Sequence, residues 1–124
     1  MVNYLREGRQ TVTPRLITSD VAGLVDFIRV VFDARGDHVP DRPAELKVGD
    51  SIIMVSDGGG LRPSMPGMLY VYVADTDATF QSAPRSGAEI IEPPSDMPWG
   101  DRRATVADSW GNIWQIATYL GAGH

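Results

Sequence analysis

The sequence has no cysteine. That absence excludes disulfides, thiol catalysis, cysteine-ligated zinc and iron–sulfur clusters. Histidine is nearly as scarce: His38 and the last residue, His124, are the only two. Long apolar runs are missing as well. Ser51-Ile52-Ile53-Met54-Val55 is among the longest, far below the ~18 residues that a membrane-spanning helix takes. The first ten residues, Met1 to Gln10, lack the apolar stretch of a signal peptide, so the expected location is the cytoplasm. A single lysine, Lys47, accompanies ten arginines, and these cations are interleaved with sixteen acids for a net charge of −5. No basic face suited to phosphates builds up. Neither nucleic acid nor a membrane is an expected partner.

What is present is an ordinary globular composition, 43% hydrophobic and 22% charged over 124 residues. Domains most often run ~100–150 residues, which predicts one domain over 1–124. Residues 1–10 are polar and without period, and read as an arm ordered against a partner chain. Residues 11–17 read as a strand confined by Pro14 to an edge or a strand end. Ser19 or Asp20 is a good helix N-cap. Leu24, Phe27, Ile28, Val31 and Phe32 then follow at the spacing of one helical face, with Gly36 as the stop. Strands are predicted near 37–40, 43–48 and 51–56, the last two joined by a Gly49-Asp50 hairpin turn. Residues 58–67 are rich in glycine and proline and read as a connector. Gly58-Gly59-Gly60 leads toward a strand rather than a helix, so it is no phosphate loop.

The order then repeats. Met68–Val73 reads as a strand, and Asp75 or Thr76 as the cap of a helix that Pro84 cuts short. Strands follow near 88–92, 102–107 and 113–119. The repeat lies in element order rather than residue identity.

Several stretches carry a family likeness: Val12-Thr13-Pro14-Arg15-Leu16, Asp26-Phe27, Ala44 through Ser51, Tyr70 through Ala78, Trp99-Gly100-Asp101-Arg102, and Asp108-Ser109-Trp110-Gly111-Asn112-Ile113-Trp114. In that order, over residues 12–119, the chain resembles the vicinal oxygen chelate superfamily of glyoxalases, bleomycin-resistance proteins and dioxygenases. It is most similar to the small single-domain PhnB-like branch. The resemblance implies an α+β fold of two βαβββ modules, about 11–57 and 68–120, joined by the linker 58–67. The modules form a curled mixed sheet around a cleft, with the helices outside. It also implies a homodimer. Enzymes of the superfamily hold a divalent metal on inner strand faces, at positions that fall here on Thr13, Met54 (or Val55), Met68 and Gln115. Of these only Gln115 can ligate, and the PhnB-like histidine is replaced by Pro43. The implied metal and cofactor are therefore none.

Strand alternation sorts the cleft lining from the core. With the phase set by the inner-face positions that the resemblance implies, it turns Thr13, Arg15, Ile17, Ile52, Met54, Ser56, Met68, Tyr70, Tyr72, Ile113, Gln115 and Ala117 inward, and Leu69, Val71, Val73, Trp114 and Ile116 toward the helices. The expected ligand-binding residues are Arg15, Ile52, Met54, Met68, Tyr70, Tyr72, Trp99, Ile113 and Gln115, with Trp99 as a lid on a loop. This mix of apolar, aromatic and sparse polar groups is typical of a small-molecule pocket. Candidate proton-transfer residues are Tyr70, Glu45 and Asp101. Glu45 also reads as half of an ion pair with an arginine, Asp101-Arg102 as a loop-fixing ion pair, and Asp108 as the cap of its own turn. His38 reads as a surface residue. The predicted function is metal-independent binding of a hydrophobic or aromatic small molecule, of the drug-sequestering resistance type. The alternative is a metal-independent isomerase, cyclase or lyase of secondary metabolism. A metal-dependent glyoxalase-type lyase or dioxygenase is disfavoured by the altered ligand positions.

Overall fold

The computed structural model describes residues 4–60 and 63–121. The first three residues of the predicted arm, Leu61 and Arg62 of the connector, and His124 lie outside them. The class is α+β, with two mixed sheets of three and four strands and two helices. The chain divides into two compact units. One holds the residues up to Arg29 with Asp33–Met65, the other Val30–Phe32 with the residues from Pro66 onward.

The first unit contains β1 (Arg15–Ile17), most of α1 (Val21–Phe32), β2 (Ala44–Val48) and β3 (Ser51–Ser56). The sheet order is β1-β3-β2, with β1 parallel and β2 antiparallel to β3. One face carries the rows Leu16–Val55–Ala44 and Ile53–Leu46, all buried. The opposite face carries Arg15–Met54–Glu45 and Ile52–Lys47. The β2–β3 turn is the two-residue Gly49-Asp50 hairpin, and the left-handed φ of 58° at Gly49 is one that a side chain would resist.

Helix α1 begins where the sequence predicts, with the Asp20 carboxylate accepting from the Gly23 amide at 3.0 Å. It stops earlier than Gly36. Asp33 takes the left-handed conformation, φ 53° and ψ 40°, and ends the helix after Phe32. Gly36 is needed for another reason. A Cβ there would lie 2.3 Å from the Glu45 carbonyl oxygen, because Arg35 forms a two-way backbone bridge to Lys47.

Three further expectations change in this unit. No strand forms at 37–40; the Arg35–Lys47 bridge is the only pairing near there. Pro40 and Pro43 lack donors, and Asp41 is left-handed at φ 75°, so a ladder cannot run through them. The first strand covers only 15–17, since Pro14 contributes a carbonyl, to the Met54 amide at 2.9 Å, and no N–H. The arm docks on its own chain. The Gln10 carboxamide donates to the Ile52 carbonyl at 2.8 Å and accepts from the Ile52 amide at 3.2 Å, reproducing the two-way bond of a strand partner where Pro14 breaks the ladder. Arg6 and Arg9 both pair with Glu45.

The second unit contains β4 (Met68–Tyr72), α2 (Thr76–Ser82), β5 (Glu89–Asp96), β6 (Asp101–Ala107) and β7 (Ile113–Tyr119), in sheet order β4-β7-β6-β5. The Asp75 carboxylate caps α2 at the Ala78 amide. The helix gives way to a single 3₁₀ turn at Pro84, which cannot donate. Thr76 and Thr118 join their hydroxyls at 2.8 Å and reach the Arg102 and Val73 carbonyls, fixing the start of α2 on the sheet. Arg102 adds ion pairs to Asp77 at 2.8 Å and Asp96 at 2.9 Å. β5 is longer than the predicted 88–92 and is irregular, with register shifts on both sides of Glu92.

Trp114, Ile116, Ala104 and Val106 are fully buried on one face of this sheet, as their alternation predicts. The Phe32 ring lies 4.9 Å from Trp114. The indole N–H of Trp114 donates to the buried Asp108 carboxylate at 2.8 Å. Asp108 also accepts from the Trp110 and Asn112 amides and the Asn112 side chain, each at 2.9 Å. It therefore does more than cap its turn: it satisfies the one polar group of the largest core side chain.

Replacing Asp108 with alanine leaves a buried indole N–H and a buried carboxamide without their acceptor, which is costly in a dry core. The expected result for Asp108→Ala is a loss of about 3 kcal/mol of unfolding free energy in urea. A loss below about 1 kcal/mol would show that the turn re-forms without the carboxylate.

Candidate functional site

The second sheet leaves one face less covered than the other. Register places three rows on that face: Met68–Ile113–Ala107, Tyr70–Gln115–Thr105 and Tyr72–Ala117–Arg103. Asp101 sits on the same face at the head of β6, opposite Tyr119. Ala117 is fully buried and small, so Tyr72 and Arg103 flank it without a bulky residue between them.

The centre of this face is the Asp101 carboxylate. It is 2% exposed, and its Oδ2 accepts three side-chain hydrogen bonds. The Tyr70 hydroxyl donates at 2.6 Å, the Tyr72 hydroxyl at 2.9 Å and the Trp99 indole N–H at 3.2 Å. These donors, Tyr70 foremost, hold the Asp101 pKa below the ordinary carboxylate value, although burial works the other way. The phenols shift in the opposite sense. Burial and then the bond to Asp101 raise Tyr70; the bond to Asp101 and then burial raise Tyr72. Asp101 is thus a poor base and the tyrosines are poor acids near neutral pH.

The rings stay accessible while their polar ends are tied down. Tyr70 is 39% exposed, Tyr72 61% and Trp99 56%. The tyrosine rings lie 5.5 Å apart and tilted by 57°, within the range of favourable aromatic pairs. The Arg103 guanidinium lies 5.4 Å from the centre of the Trp99 ring, a cation–π contact, and pairs with Glu92 at 3.5 Å. Glu92 in turn accepts from the Thr105 hydroxyl at 2.5 Å.

Met68, Tyr70, Tyr72, Ile113 and Gln115 come together on this face, and Trp99 joins them from the turn before β6. Arg15, Ile52 and Met54 stand in the first unit, and Arg15 donates to the Ser56 hydroxyl at 3.0 and 3.1 Å. Glu45 is held by Arg6 and Arg9, as the ion-pair reading expects. The loop-fixing ion pair expected of Asp101-Arg102 is not made between the two. Successive strand residues face opposite ways, so Arg102 pairs with Asp77 and Asp96 while Asp101 meets the aromatics. Sequence reasoning passed over Arg103 and Tyr119. The period-two signal for Arg103 was available, since it stands two residues after Asp101.

The positions that the family resemblance assigns to metal ligands do not suit a divalent ion. Met54 and Met68 offer thioethers, and Met68 is 65% exposed. Among the described residues no three His, Cys, Asp or Glu side chains come together. One carboxamide, Gln115, does not hold such an ion. Among the described residues, no helix is long and apolar enough to cross a membrane.

The pKa directions make a test with a definite sign. Asp101 contributes stability at pH values above its unfolded pKa of about 3.9, lost only as pH falls through its lower folded value. Tyr70 and Tyr72 contribute below about pH 10, and this is lost as pH rises through their raised folded values. In a spectrophotometric titration, the phenolate signal of two rings is expected to move to lower pH in Asp101→Asn. Superimposable curves for the variant and the parent would remove Asp101 as the cause.

The family model described as Glyoxalase/Bleomycin resistance protein/Dioxygenase superfamily matches residues 10–116. An uncharacterized protein of Mycobacterium bovis is 31% identical, over 84% of this chain and 80% of its own length. The crystal structure of TioX from Micromonospora sp. ML1 is similar with a TM-score of 0.74 and 29% identity, covering 90% of this chain and 99% of that one. A glyoxalase/bleomycin resistance protein/dioxygenase family enzyme from Burkholderia phytofirmans PsJN gives a TM-score of 0.73 at 19% identity, over 87% of this chain and 97% of that one, a likeness of fold.

Proposed function

We infer, because the chain belongs to the glyoxalase/bleomycin resistance protein/dioxygenase superfamily, also called vicinal oxygen chelate, that it is a binding protein for a hydrophobic or aromatic small molecule. One observation carries this reading. A single desolvated carboxylate, Asp101, consumes the polar ends of Tyr70, Tyr72 and Trp99 and leaves their rings exposed. Exposed aromatic rings with fixed orientations lose little conformational freedom when a flat guest stacks on them. Arg103 beside Trp99 supplies a cation at the margin of the same face.

The same network favours binding over proton transfer. Opposite pKa shifts in Asp101 and its two tyrosines separate the proton affinities that acid–base catalysis needs close to neutral. The proposed state is a homodimer that works without a metal or other cofactor. Its support is the poor ligand set at Thr13, Met54, Met68 and Gln115 and the pairing implied by the family.

Native mass spectrometry of protein purified without added metal, with metal analysis on the same sample, tests the reading. A metal-free dimer carrying a co-purified organic molecule is the expected result. A stoichiometric divalent ion would overturn it. With that molecule, or an aromatic hit from ligand screening, as probe, Tyr72→Ala is expected to weaken binding by about tenfold, the scale of one lost aromatic contact. Tyr70→Phe keeps the ring and is expected to stay within about threefold. Turnover of the probe that Tyr70→Phe abolishes would instead make this face catalytic.

A further inference from the structure

The first unit has a cavity of its own, of about 420 Å³, within the range of small-molecule sites. Among the described residues, its walls include Arg15, Arg42, Asp41, Asp57, Ser56 and His38, and none of the aromatic residues of the second sheet. Among the described residues, two guanidiniums and two carboxylates therefore share one small space, all four on exposed residues.

Among the described residues no close ion pair joins these four groups. Among the described residues, the ion pairs involve Arg6, Arg9, Arg29, Arg102 and Arg103, and neither Arg15 nor Arg42 takes part. Two of the four side chains are held by hydrogen bonds, and the backbone that carries the other two is stiffened. Arg15 is held by two hydrogen bonds to the Ser56 hydroxyl. One oxygen of Asp57 accepts from the Gly59 amide at 2.8 Å. Asp41 is left-handed at φ 75° between Pro40 and the Arg42-Pro43 pair. The prolines restrict φ on both sides, and Arg42 is further limited by preceding one.

The balance of signs selects the guest. A bare anion attracted to the arginines meets two carboxylates, and a bare cation meets two guanidiniums. A molecule bearing both charges answers both sets. A guanidinium fork matches a carboxylate in geometry as well as charge. An aspartate oxygen accepts from an ammonium group. Val21 and Pro43, on the same walls, supply apolar surface for a short carbon chain.

We propose that the cavity formed by Arg15, Arg42, Asp41 and Asp57 is a binding site for a small zwitterion of the amino-acid type. The site is separate in the chain from the aromatic face and is independent of the function proposed for it. The test is a titration of the full chain with L-valine, with acetate and ethylammonium as probes that carry one charge each. Amide chemical shifts of Ser56, Asp57 and Gly59 report the site. The expected result is saturable binding of valine, with each single-charge probe at least about tenfold weaker. Arg42→Ala and Asp41→Asn, both on an exposed loop, are each expected to weaken valine binding at least about tenfold while leaving the circular dichroism spectrum unchanged. Acetate binding as tightly as valine would overturn the proposal, as would the absence of saturable valine binding or valine affinity unchanged in both variants.

Discussion

The aromatic face depends on how one desolvated carboxylate is satisfied. Burying the charge of Asp101 is expensive unless donors surround it. Three aromatic side chains provide those donors, from β4 and from the turn that leads into β6. The arrangement settles two properties at once. It aims the rings by their hydroxyl and indole ends, and it raises the pKa of the two phenols. An exposed tyrosine pair with free hydroxyls would be mobile and chemically available. Here the pair is oriented and its hydroxyls are engaged, as the proposed binding role requires.

A second carboxylate applies the same chemistry to the opposite purpose. Asp108 lies just beyond the end of β6, as Asp101 lies at its start, and each accepts an indole N–H. Trp114, bound to Asp108, is fully buried and anchors the core. Trp99, bound to Asp101, is more than half exposed and borders the aromatic face. The difference lies in which side of the sheet each ring occupies. Arg102 sits between the two systems on the core-facing register of β6 and ties α2 to β5 through Asp77 and Asp96. The strand thus carries positioning residues on one face and assembly residues on the other.

In the first unit, backbone chemistry sets the outcome. Pro14 interrupts the parallel pairing of β1 with β3, and the Gln10 carboxamide substitutes for the missing peptide group at Ile52. That repair brings Arg6 and Arg9 to Glu45, so the arm and the strand charge satisfy each other within one chain. Pro40 and Pro43 prevent a further strand, and the loop they stiffen forms part of the charged cavity. A loop that cannot pair with a sheet keeps its side chains available for other partners.

By itself the sequence determined the features that act through neighbouring backbone. Asp20 and Asp75 cap the helices they precede, Gly49-Asp50 turns the hairpin, and alternation sends Trp114 and Ile116 to the core. The order of elements and the six family stretches sufficed for the fold class. Strand alternation also put Met68, Tyr70 and Tyr72 on the open face. What it could not reach was set by partners distant in the chain. Tyr70 and Tyr72 meet Asp101 across 31 and 29 positions, and Gln10 meets Ile52 across 42. Local signals say which way a side chain faces, because the strand period is two. Which residue waits there depends on the register among β4, β7 and β6, and only the assembled sheet decides that.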